Sequence, residues 1–237
     1  MRRNLYFYLY PVKDSVWPWH VERLRKYWGV WNGRKIVTIA TDETTESESA
    51  VRRELDGLDC EISVTENDLA LGEAKTFVGE IGKLESQRSD EITFYAHAKG
   101  VTRKPSEMAN ILAWSSAMYH MNLSDPGLID RILERFEAVG CFRFAFQHAG
   151  SWWHFAGTYF WFRHSAIFSR AWRTISPGPH GVESYLGLHV PWDSAFCLTP
   201  SMAHTLYDRP VPHEDVLGWM KSHQEVWTPE AMKEART

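Results

Sequence analysis

Through the first half of the sequence, short apolar runs alternate with segments whose apolar residues recur at helical spacing. That alternation restricts the fold more than any other feature. Leu5 to Tyr10 reads as an aromatic-rich strand ended by Pro11. Between Trp19 and Trp31 the spacing turns helical: His20, Leu24, Tyr27, Trp28 and Trp31 share a face, while Glu22, Arg23, Arg25 and Lys26 lie on others. Asn32-Gly33 breaks this helix, and Lys35 to Ala40 is the next strand. A charged helix over about Glu46 to Leu55 leads to a strand at Glu61 to Thr65. Ala70, Ala74, Phe77, Ile81 and Leu84 then recur at helical spacing, and Glu91 to Ala96 supplies a fourth strand. Strand and helix repeated in this way predict an α/β fold, a mostly parallel sheet with helices on both faces. Ligands in such sheets sit beyond the C-terminal ends of the strands. Here those ends are Tyr10-Pro11-Val12, Ala40-Thr41-Asp42, Thr65-Glu66-Asn67-Asp68 and His97-Ala98-Lys99-Gly100.

The second half is less regular. Helices are expected over roughly Ser106 to Met121 and Pro126 to Val139, the latter started by Ser124-Asp125 before its proline. Strands are expected at Cys141 to Gln147 and Gly157 to Arg163, and helices at about Ser165 to Trp172 and Val182 to Leu188. The loop from Ser176 to Gly181 is too rich in proline and glycine for regular structure. Residues 211–237 read as a polar surface helix and tail, and residues 1–210 as one domain with no convincing linker.

Composition narrows the function. A chain of 237 residues with 44% hydrophobic residues is long enough for one well-buried core. Its 26 basic against 30 acidic side chains give a net charge of −4, which argues against a dedicated nucleic-acid-binding protein. Three cysteines without a CxxC pair fit a reducing compartment. No apolar run approaches about 18 residues, so no transmembrane segment is expected, and the reading is a cytoplasmic protein. The sequence lacks GxGxxG, a P-loop, a GxSxG elbow and HExxH. It also lacks a DxD triplet, the usual acidic device for holding a divalent ion against a diphosphate, so a metal cofactor is not expected.

Four constellations remain. Phe94 to Lys104 ends a strand with His97 and Lys99 two residues apart, projecting to the same side, followed by Gly100 and then Arg103 and Lys104. A glycine beside cations suits close approach of a phosphate, although a solvated turn has the same composition. Glu66 to Phe77 enters a helix with Asn67 or Asp68 as its N-cap, and a free helix N-terminus attracts anions. His148 to His164 is aromatic. There Trp152, Trp153 and His154 precede a strand and offer stacking surfaces to sugar or base, or simply pack as core. In His180 to Gly187, Glu183 follows a flexible loop and is the first candidate for a general base, with Asp193, Asp42 and Asp68 as rivals.

On these motifs the chain resembles nucleotide-sugar-dependent glycosyltransferases of the GT-A type, in particular bacterial glycosyltransferase-like proteins associated with polysaccharide synthesis. The segments that carry the resemblance are Tyr95-Ala-His-Ala-Lys-Gly100, Gly157-Thr-Tyr-Phe-Trp-Phe-Arg163 and Glu183-Ser-Tyr-Leu-Gly187. The resemblance spans roughly residues 5–190 and implies a GT-A-like single domain. A nucleotide half covers about 1–105 and an acceptor half about 106–210. By position, Pro11, Thr41 and Asn67 would border the nucleotide of a nucleotide diphosphate sugar donor. His97 and Lys99 stand where a metal-binding acidic motif usually stands, and with Arg103 they would offset the charge of the departing diphosphate without a metal. Glu183 would deprotonate a saccharide acceptor, and Trp152 or Trp153 would position a sugar ring. A non-catalytic carbohydrate- or nucleotide-binding protein of the same fold is the alternative.

Overall fold

The computed structural model describes residues 1–145, 150–200, 207 and 209–230. Its first half runs β1 (Arg2–Leu9), α1 (Trp17–Tyr27), β2 (Lys35–Thr41), α2 (Glu48–Glu54), β3 (Glu61–Glu66), α3 (Ala74–Gly82) and β4 (Glu91–His97). The second half adds α4 (Met108–Leu123), α5 (Pro126–Leu133), β5 (Ala138–Gly140), β6 (Arg143–Phe144), β7 (His154–Phe155) and β8 (Phe160–Arg163). It closes with α6 (His164–Ile167), α7 (Gly181–His189), β9 (Ala195–Cys197) and α8 (His213–Val226). Seven strands form one sheet in the order β3-β2-β1-β4-β8-β5-β9. All are parallel except β8, which runs antiparallel to both β4 and β5.

Helices cover both faces, as the alternation predicts. On one face Leu5, Phe7 and Leu9 of β1 join a core with Val21 and Leu24 of α1, Val51 of α2 and much of α4 and α5. On the other, Tyr6 and Tyr8 join Phe77 and Ile81 of α3 and Val182, Tyr185 and Leu186 of α7. Residues two apart on a strand share a face, so each central strand feeds both cores and reads as continuously apolar. β8 follows the same rule. Tyr159 and Trp161 belong to the first core and Phe160 and Phe162 to the second.

The second half departs from expectation where tertiary pairing overrides local pattern. The helix begun at Pro126 is capped by Asp125, whose Oδ1 accepts the Leu128 N–H at 2.9 Å. It ends at Leu133 rather than Val139, because Ala138 to Gly140 pair as a strand between β8 and β9. The strand expected at Cys141 to Gln147 reduces to β6, paired with β7 in a separate ribbon; Gln147 and His148 lie outside the described residues. The strand expected from Gly157 begins only at Phe160, since Gly157 and Thr158 take φ of +85° and +62°. The helix expected over Ser165 to Trp172 is the single turn of α6. The C-terminal helix is not purely superficial: Val216 and Met220 are buried in the first core, and 231–237 lie outside the described residues. Cys60, Cys141 and Cys197 are unpaired. Among the described residues no helix is long and apolar enough to cross a membrane.

Candidate functional site

Beyond the C-terminal ends of β1, β3 and β4 opens a cleft of about 320 Å³. Tyr8 and Tyr10 from β1 and its end, and His97 and Lys99 from the end of β4, line it. Asn67 and Asp68 after β3 form one wall, and Glu183 in the first turn of α7 faces the same space. Local chemistry sets each segment. Asp68 Oδ1 accepts the N–H groups of Ala70 and Leu71 at 2.9 and 3.1 Å, which bends the chain before α3. After β4 the Lys99 N–H bonds back to the His97 carbonyl at 2.9 Å. Gly100 follows at φ +91°, where an added Cβ would lie 2.6 Å from Ile111 Cγ2. Only glycine meets both conditions.

His97 does not project freely beside Lys99. Its Nδ1–H donates to Glu73, whose carboxylate also accepts the Tyr95 hydroxyl. Burial first, then the Glu73 charge, pushes the Tyr95 phenol well above its ordinary pKa, so it remains a donor. A histidine whose Nδ1 faces a carboxylate has a fixed ring orientation. Its Nε2 is buried without a partner among the described residues. Glu73 stands at the N-cap of α3. The helix N-terminus expected to receive an anion therefore already has a carboxylate beside it, and Asp68 caps the preceding turn rather than the helix.

The backbone under His97 and Lys99 is held by a buried polar bridge. His20 Nε2–H donates to the Lys99 carbonyl at 2.9 Å, and its Nδ1 accepts the Tyr119 hydroxyl at 3.0 Å. The Tyr159 hydroxyl donates to the His97 carbonyl at 2.7 Å. Burial drives the His20 pKa down to about 3, so the ring is neutral and serves as one donor and one acceptor.

Two cations stand on the lip of the cleft. Lys99 Nζ lies 3.9 Å from the centre of a Trp114 ring, and Arg103 sits 4.8 Å above Tyr207 while donating to its hydroxyl at 3.2 Å. Opposite them, Glu183 Oε1 accepts the Gly157 N–H at 3.1 Å, and its Oε2 lies 3.6 Å from His180 Nδ1. Behind Tyr10 and Asn67, Asp42 accepts the hydroxyls of Tyr10 and Thr44 at 2.5 and 2.6 Å and the Asn67 amide at 2.8 Å. Burial raises its pKa, but these hydrogen bonds outweigh that effect and hold the carboxyl at about 2. Asp42 is thus a fixed anion that orients Tyr10 and Asn67, which suits it poorly as a base.

The cleft brings together Asn67, Asp68, His97, Lys99, Arg103 and Glu183. It leaves out the other candidates. Thr41 borders a separate shallow depression with Asp42 and Glu46. Pro11 is buried, and its carbonyl accepts the Glu46 N–H. Trp153, 3% exposed, sends its indole N–H to the Val190 carbonyl, and His154, 4% exposed, stacks on Phe144. Both are buried: Trp153 packs in the second core with Val182, Tyr185 and Leu186 of α7, and His154 is part of β7 itself. Trp152 is exposed but does not line the cleft, and Asp193 lines a different depression. Tyr8 and Tyr207 carry no sequence signal of their own, and Tyr10 only its place at the end of the first strand. The one available hint for Glu73 is its place in the segment after β3.

The donor set at the β4 end suits an anion, since Lys99 and Arg103 flank a histidine whose Nδ1 is already engaged. Among the described residues no three His, Cys, Asp or Glu side chains are grouped to hold a metal ion. No protein family matches the sequence, and no curated protein matches it. Among solved structures the chain is similar to glucosyl-3-phosphoglycerate synthase from Mycobacterium tuberculosis in complex with UDP. The TM-score is 0.47 at 11% identity, covering 93% of this chain and 79% of that one. It is also similar to a mannosyltransferase from Pyrobaculum calidifontis in complex with GDP-Man and Mn2+. There the TM-score is 0.43 at 13% identity, covering all of this chain but 64% of that one. Both likenesses are too distant to carry a donor, a metal or an acceptor over to this chain.

Proposed function

We propose that this protein transfers a sugar from a nucleotide diphosphate sugar to a hydroxyl of a saccharide acceptor. The observation that supports this reading is one strand-end cleft with a cationic lip, Lys99 and Arg103, facing a carboxylate, Glu183, held by a backbone N–H. In the reaction the acceptor oxygen attacks the anomeric carbon and its proton passes to Glu183. The bond from that carbon to the diphosphate breaks, and the negative charge that gathers on the leaving group meets Lys99 and Arg103. His97, braced by Glu73, lines the cleft beside Lys99. Asn67 and Tyr10, oriented by Asp42, border the nucleoside, and no step is routed through a metal ion. The first half of the chain supplies the donor side, and α7 brings Glu183 from the second.

Incubation with a panel of nucleotide sugars and saccharide acceptors, read by release of nucleoside diphosphate, tests this. Acceptor-dependent release is the expected result. Nucleotide sugar binding without release under any acceptor would favour a binding protein and overturn the catalytic assignment.

A further inference from the structure

Away from the strand ends, α1, α4 and α8 enclose a groove of about 240 Å³. Arg23 and Lys26 enter it from α1, His120 from α4, and His213 from the first position of α8. Its lining includes no carboxylate among the described residues. Among the described residues none of these four groups forms an ion pair. The guanidinium of Arg23 lies 5.0 Å from the centre of Trp19, and Lys26 Nζ lies 5.1 Å from that of Tyr27. Arg23 Nε is buried without a hydrogen-bond partner among the described residues. The His120 and His213 rings meet edge to face with centroids 6.5 Å apart. The pKa of His120 is lowered by burial and then by His213 and Lys26, both like-charged neighbours. Glu214 and Asp215, exposed in the first turn of α8, do not line the groove.

Two cations and two imidazoles from three helices line a groove that no carboxylate enters among the described residues, a donor set that matches an oxyanion. We propose that this groove is a second ligand site, binding a multiply charged oxyanion of the phosphate class. Arg23 supplies a planar donor fork, Lys26 a charge and His213 a ring N–H at the rim, and Ser116 adds a hydroxyl. Tyr27, Ala113, Val211 and Val216 form an apolar side, which suits a phosphomonoester carrying a short organic group. The site shares no lining residue with the strand-end cleft and stands whether or not the chain transfers sugars.

The test is titration of the full chain with inorganic phosphate and glycerol phosphate at low salt, followed by the histidine ring signals in NMR. The expected result is saturable movement of the His120 and His213 signals, weakened about tenfold or more in R23Q/K26Q. The exposed pair K26Q/H213Q, followed through the His120 signal alone, shows the same weakening if the first variant fails to fold. K99M, in the other cleft, leaves the titration unchanged. Co-sedimentation with vesicles containing phosphatidic acid, against phosphatidylcholine alone, identifies the source. Retention lost in K26Q/H213Q assigns a lipid headgroup, and phosphate binding without retention assigns a soluble ester. Histidine signals unmoved by millimolar phosphate, or binding equal in both variants and wild type, would overturn the proposal.

Discussion

Glu183 and Lys99 face each other across the cleft, and substitution separates their roles. Glu183→Gln keeps an acceptor for the Gly157 N–H but cannot take a proton. It should lower kcat by about 100-fold or more while leaving donor affinity nearly unchanged, because general-base catalysis contributes roughly 10²–10⁴. Steady-state kinetics and donor titration together check this, and an unaltered kcat would remove the base role. Lys99→Met keeps much of the stem packed on Trp114 and deletes the charge. Turnover should fall by about 10²–10³, as removal of a charge-stabilising donor does. The chemistry at this scale was partly legible. His97, Lys99, Arg103, Asn67 and Asp68 share the cleft because they follow strand ends, and Glu183 joins them from the first turn of α7. Glu73 was not legible, because its pairing with His97 and Tyr95 depends on where the chain turns before α3. Trp153 and His154 misled for a related reason: an aromatic pair looks the same in sequence whether it covers a ligand or is covered by α7.

At the scale of elements, the turn into β8 matters most. Gly157 takes φ +85°, and an added Cβ would lie 2.8 Å from Met118 Sδ and 2.9 Å from Trp114. The same residue's N–H holds Glu183, and the same tryptophan carries Lys99. Gly157→Ala should therefore cost about 2–4 kcal/mol from overpacking and left-handed strain. It should also reduce turnover beyond what the loss of folded protein explains. Urea denaturation beside activity per folded molecule tests both, and a variant as stable as wild type would contradict the geometry. Alternating elements of the first half were legible because each buries a complete face. β5 was not: Ala138-Val139-Gly140 continues an apolar helical pattern, and only pairing with β8 and β9 makes it a strand.

At the scale of the whole molecule, the sheet buried on both faces hides titratable groups that tie stability to pH. Burial holds the pKa of His20 at about 3, and burial, partly offset by Glu91, holds that of His164 at about 4. Both ordinarily titrate near 6.5, so below that pH the unfolded chain binds more protons than the folded one. Their stabilising contribution is full above 6.5 and is lost as pH falls toward 4 and then 3. The urea midpoint should drop between pH 7 and pH 5. His20→Gln, which keeps a donor for Lys99 and an acceptor for Tyr119, should flatten the drop, and an unchanged slope would contradict this account.

The central claim is that the strand-end cleft holds a nucleotide diphosphate through Lys99 and Arg103 rather than through a metal ion. Thermal unfolding of the protein with each nucleoside diphosphate in EDTA tests it most directly, since a ligand of the native state raises the midpoint by mass action. The account predicts a raised midpoint with at least one nucleoside diphosphate in EDTA, and a smaller rise in Lys99→Met. No rise at millimolar nucleotide, or a rise only when Mn²⁺ replaces EDTA, would contradict it.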